Sequence, residues 1–80
     1  MQVKVKLYAT LHRLSPTGTS LGEAFDVNMD GSTLSDLLGV LSIEEKQARI
    51  VMVNGLRVEE MDHHLSPGDL IVIFPPVGGG

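Results

Sequence analysis

The chain has 80 residues, 42% of them hydrophobic, and ten Asp/Glu against six Lys/Arg give a formal net charge of −4. One domain of this length buries about 60–65% of the surface its unfolded chain exposes, and with two Phe and one Tyr its core must be packed mainly by aliphatic side chains. The acidic balance argues against a nucleic-acid surface, and the absence of cysteine excludes a disulfide framework, a thiolate zinc site and a cysteine nucleophile.

Met1–Tyr8 alternates, with Val3, Val5 and Leu7 on one face and Gln2, Lys4, Lys6 and Tyr8 on the other. This predicts a half-buried strand rather than a signal peptide. Leu11–Gly22 contains Pro16, Gly18 and Gly22 and reads as a long loop. Ala24–Met29 follows as a short strand, with Phe25 and Val27 on one face, closed by Asp30-Gly31. Thr33-Leu34-Ser35-Asp36 has capping-box spacing, with Asp36 in place of the preferred Glu. Leu34, Leu37, Leu38 and Leu41 then recur at helical spacing and predict one amphipathic helix, which Gly39 weakens or ends. Ser42-Ile43-Glu44-Glu45 suggests a second capping box and a short helical turn reaching about Ala48.

Ile50–Val53 is predicted as a third strand, Asn54-Gly55 as a two-residue hairpin, and Leu56–Val58 as the returning strand. Ser66-Pro67-Gly68-Asp69 predicts a turn, and Leu70–Phe74 the last strand, which Pro75 stops because it has no N–H for a ladder. The element order is β-β-α-β-β-β. One leucine stripe can cover one face of one sheet, so the expected class is an α+β roll, a sheet packed on one main helix. No apolar run approaches the ~18 residues that suggest a membrane span. A soluble cytoplasmic protein without membrane or nucleic-acid partners is expected.

Two features are not explained by a minimal roll. Leu70, Ile71, Val72, Ile73 and Phe74 are all apolar, so both faces of the last strand avoid water, although one short helix needs only one such face. Ile50–Val53 shows the same doubling. Either the loop Leu11–Gly22 folds over the second face, or the strands are simply central in the sheet, or that face binds a partner. The other feature is the closing stretch Phe74-Pro75-Pro76-Val77-Gly78-Gly79-Gly80. Three glycines resist ordering, so this stretch is either a frayed end or a thin, accessible end that itself reacts.

SPGDLIVIFPPVGGG, the VNG hairpin before it and the alternating first strand together resemble the ThiS/MoaD family of ubiquitin-like sulfur carriers, closest to the small subunit of molybdopterin synthase. The resemblance implies a β-grasp fold: a mixed sheet gripping one helix, with the first and last strands parallel at its centre. It divides the chain into a β-grasp domain, 1–74, and a flexible tail, 75–80, ending in Gly-Gly. It implies that Ile71 and Ile73 face the helix. Leu70, Val72 and Phe74 would then form an outer, partner-binding face together with Val51 and Val53. Gly78 stands where the molybdopterin-type subunit usually carries Ala. The loop Leu11–Gly22 is longer than in compact thiamine-type carriers and favours the molybdopterin side.

Without a side-chain thiol, a sulfur carrier can hold sulfur only as a thioacid at a carboxyl terminus, here that of Gly80. The family chemistry implied is adenylation by an ATP-dependent activating enzyme, then replacement of AMP by persulfide sulfur. Glycine suits this because it has no Cβ to block the acyl carbon. Pro75-Pro76 would form a pre-extended stem, and the four residues Val77, Gly78, Gly79 and Gly80 beyond it reach about 13 Å at ~3.3 Å each. The chain is then not itself an enzyme, and binds no cofactor. Its partners would be the activating enzyme and either a large molybdopterin synthase subunit or a thiazole synthase. The remaining alternatives are a modifier joined through Gly80 to lysines of other proteins, and a β-grasp module with an inert tail. His63-His64 gives a poor metal bite because the positions are adjacent, with Asp62 a thin third ligand, and no metal is expected. Lys4, Lys6 and Lys46 read as ordinary surface lysines.

Overall fold

The computed structural model describes residues 1–77. Five strands and one α-helix form in the order β1 (Gln2–Leu7), β2 (Phe25–Asn28), α1 (Leu34–Leu41), β3 (Ile50–Val53), β4 (Leu56–Val58) and β5 (Leu70–Phe74). All five strands join one mixed sheet in the order β2-β1-β5-β3-β4. β1 and β5 run parallel near its centre, and the remaining pairs are antiparallel.

The alternation of β1 sets the sheet's two faces. Val3, Val5 and Leu7 are buried, as are Ile71 and Ile73 of β5, and they pack with Leu34, Leu37 and Leu38 of α1 in one aliphatic core. Thr33 caps the helix: its side chain accepts from the Asp36 N–H, and the Asp36 carboxylate accepts from the N–H groups of Ser32 and Thr33 at 3.0 and 3.1 Å. These bonds hold the Asp36 carboxyl below its ordinary value of 3.8, the Thr33 backbone bond contributing most. A Cβ at Gly31 would collide with the same carboxylate. Two further N–H groups of the first turn, those of Leu34 and Ser35, donate to the carbonyls of His63 and Met61. The His63–His64 stretch therefore serves as backbone support for the helix start.

Three details depart from the sequence expectation. The segment after β1 is a 3-10 helix over Ala9–Leu14, which buries Leu11 in the core. Gly39 lies inside α1, the first of the two roles expected of it. The end falls at Ser42, in the left-handed region at φ 59°. Ser42 is thus a C-cap, and the second capping box belongs to Glu44 and Gln47, flanking the 3-10 turn Glu45–Gln47.

The third departure concerns β3. Val51 and Val53 do not join the outer face. They pair with Ile73 and Ile71 and are 2% and 6% exposed, on the helix side. The cause is the register. Asn54 and Gly55 take φ of 51° and 85°, the tight hairpin turn with two left-handed residues. Asn54 then ties that turn to β5. Its N–H donates to the Leu70 carbonyl, its side-chain oxygen accepts from the Leu70 N–H, and its amide reaches Asp69, each at 2.9 Å. Asp69 closes the Ser66–Asp69 turn, accepting from the Ser66 N–H at 2.8 Å. With Asn54 locked to the start of β5, Val53 falls opposite Ile71, and alternation puts Ile50 and Met52 on the other side.

Candidate functional site: the outer sheet face and its stem

Leu70, Val72 and Phe74 lie on the face away from the helix and are all half-buried. Their cross-strand neighbours are Met52, opposite Val72, and Ile50, opposite Phe74. On the other side Lys4 faces Leu70 and Lys6 faces Val72. Just past the end of β1, the Tyr8 N–H donates to the Ile73 carbonyl at 3.2 Å. The Tyr8 ring stacks on Phe74, with centroids 4.9 Å apart and planes 14° from parallel. The face is therefore an apolar strip two strands wide, with an aromatic pair at the end where β5 leaves the sheet.

That end opens directly into the stem. Ala9, Thr10, Ile50, Phe74, Pro75, Pro76 and Val77 line an open groove of about 430 Å³. Pro75 is half-buried and Pro76 exposed, and Val77 is 92% exposed. Ala9 shapes the opposite wall in a left-handed conformation, φ 53°. A residue with a Cβ pays about 1–2 kcal/mol there. The strained turn lets the chain swing from β1 into the 3-10 helix and keeps only a methyl group beside the groove. The long loop reaches the strip at Tyr8. Its Leu11 enters the core, and at Gly22 it passes the Tyr8 ring, whose hydroxyl and Cε1 stand 3.6 and 3.8 Å from where a Cβ would be.

Of the residues expected at the site, the structure brings together Leu70, Val72, Phe74, Pro75, Pro76 and Val77 and removes Val51 and Val53. Gly78, Gly79 and Gly80 lie outside the described residues. Sequence reasoning missed Ile50, Met52 and Tyr8. Tyr8 was recoverable: it shares parity with Lys4 and Lys6, and a parallel pairing with β5 places it beside Phe74. Among the described residues no three His, Asp or Glu side chains converge as metal ligands, and no helix is long and apolar enough to cross a membrane.

A mixed five-stranded sheet gripping one main helix, with an apolar outer strip running into a proline stem, defines a ubiquitin-like β-grasp protein. Residues 5–80 match the model of the ThiS family, and the chain belongs to that family of small sulfur carriers and ubiquitin-like modifiers. Solved structures agree. The chain is similar to small archaeal modifier protein 1 from Methanosarcina acetivorans, with 27% identity, a TM-score of 0.67, and 99% of this chain and 96% of that one covered. It is similar to a Pyrococcus furiosus protein assigned as molybdopterin converting factor subunit 1, with 26% identity, a TM-score of 0.64 and coverage of 95% and 98%. In fold it also matches a chain of the complex of subunits 1 and 2 of molybdopterin-converting factor from Helicobacter pylori, at 24% identity, a TM-score of 0.62 and full coverage of both chains. No curated protein sequence matches the chain.

Proposed function

We propose that the chain is a sulfur carrier that acts as the small subunit of a molybdopterin synthase, with Gly80 as its reacting residue. The observation that carries this reading is the continuity of the outer strip with the stem: Leu70, Val72 and Phe74 dock a partner while Pro75-Pro76 aim the residues beyond into that partner's pocket. Membership of the ThiS family supports it, as does the likeness to a molybdopterin converting factor subunit. The chemistry belongs to the partners. The Gly80 carboxylate attacks the α-phosphorus of ATP in an activating enzyme, giving an acyl-adenylate and pyrophosphate. The terminal sulfur of a protein persulfide then attacks the acyl carbon and AMP leaves, giving an acyl disulfide. A thiol attacks the inner sulfur, forms a new disulfide with it and releases the Gly80 thiocarboxylate. In the synthase, that sulfur passes to a pterin precursor held by the large subunit.

The likeness to small archaeal modifier protein 1 favours a second use of the same activated end, transfer of the Gly80 acyl group to a lysine amine. Both uses need Gly80. Intact mass after incubation with activating enzyme, ATP and a persulfide donor should rise by the difference between sulfur and oxygen, and a chain lacking Gly80 should gain nothing. If the shortened chain gains the same mass, Gly80 is not the carrier.

A further inference from the structure

The protein is acidic overall, yet the outer face is not. Alternation and register place three cations on its strands, Lys4 and Lys6 of β1 and Arg57 of β4, the last opposite Met52. The one strand anion on this face is Asp26, opposite Lys4. Two of the cations are matched within the chain. Lys4 Nζ lies 2.8 Å from Asp26, and Arg57 Nε lies 4.0 Å from Glu59. Lys6 has no ion-pair partner among the described residues, although it is half-buried and directly opposite Val72, at the middle of the apolar strip.

We propose that Lys6 is a specificity residue of the docking face, and that the protein partner which covers the strip presents an Asp or Glu carboxylate to the Lys6 ammonium within otherwise apolar surroundings. The inference rests on the reading of the outer face as a docking surface and names the chemistry that surface selects. Covering Val72 and Phe74 strips water from Lys6 as well. An ammonium left dry and unpaired is strongly unfavourable, so a purely apolar partner is penalised. A partner with a carboxylate at that point satisfies the charge, and one with Lys or Arg there is repelled. The apolar strip supplies contact area, and Lys6 discriminates among proteins that could cover it.

The test titrates the large molybdopterin synthase subunit of the same genome against the wild-type chain, Lys6→Glu, Lys6→Met, Phe74→Ala and Lys46→Glu, each at low and high salt. Lys46 is the control, an 81% exposed side chain paired with Glu44 on the 3-10 turn Glu45–Gln47. Lys6→Glu is expected to weaken binding about tenfold or more, with Lys6→Met weaker than wild type and less sensitive to salt. Lys46→Glu should bind as wild type. A carbodiimide, which joins amine and carboxylate only in direct contact, should link Lys6 to an Asp or Glu of the partner. If Lys6→Glu and Lys6→Met bind within twofold of wild type while Phe74→Ala binds poorly, the role of Lys6 is overturned and the docking face stands. If Phe74→Ala also binds as wild type, the docking face falls, and the role of Lys6 with it.

Discussion

The two faces of the central sheet are built from the same strands and the same residue types, yet they end in different environments. In β5, Ile71 and Ile73 are fully buried, while Leu70, Val72 and Phe74, interleaved with them, remain half-buried. In β3, Val51 and Val53 are buried and Ile50 and Met52 are not. The helix accounts for the first set. The second is more apolar than a water-facing sheet surface requires. The difference teaches that apolarity alone does not report function in such a strand. Its parity relative to the helix separates the residues that build the core from those proposed to dock a partner.

Substitutions on the inner face should break the fold. Ile73→Ala is expected to cost about 2–5 kcal/mol, read by thermal or denaturant melt, because it opens a cavity in a close-packed core. Val51→Ala should cost about 2 kcal/mol by the same measurement. A small effect at Val51 would mean that the face division drawn from the register is wrong.

The elements were legible in the sequence, but the division of their faces was not: for β5 it followed from the family resemblance, for β3 it was assigned the wrong way, and the cause is physical. The bounds of β3 and β5, the Asn54-Gly55 hairpin and the Thr33–Asp36 cap follow from local turn and capping chemistry, which a few adjacent residues specify. The side on which β3 presents Val51 does not. Its four residues are all apolar, so alternation carries no information, and the choice is made by Asn54 bonding to Leu70, 16 residues away. The 3-10 helix Ala9–Leu14 was missed for a related reason. It has no 3.6-residue periodicity and is held by buried Leu11 and partly buried Leu14 against the core, and their place is defined only once the sheet exists.

The stem sharpens the comparison because it belongs to neither face. Replacing Pro75 and Pro76 together by Gly should leave the melt nearly unchanged, since neither proline can donate to the ladder. It should slow sulfur transfer several-fold, on the order of the entropy of ordering two freed residues in a partner pocket. Single-turnover transfer at the wild-type rate would remove the stem from the mechanism.

The smallest effect is expected at the helix start. Asp36 is held below its ordinary value of 3.8 by bonds to Thr33 and Ser32 that exist only in the folded chain. Its contribution is therefore complete above about pH 4 and is lost as the pH falls through the lower folded value. Asp36→Asn should flatten the stability profile in that acid window and leave binding to partners unchanged. A profile as steep as wild type would show that other carboxylates set it.

The central claim is that the outer face docks a partner while the inner face holds the fold. The most direct measurement is calorimetric titration of Phe74→Ala with the large synthase subunit, beside a melt of the same sample. Phe74 stacks on Tyr8 at the root of the stem and stays outside the helix-facing core. The account predicts a loss of about 2 kcal/mol or more in binding, with a smaller change in stability than Ile73→Ala produces. Wild-type affinity for Phe74→Ala, or an unfolded Phe74→Ala beside a folded Ile73→Ala that binds weakly, would contradict it.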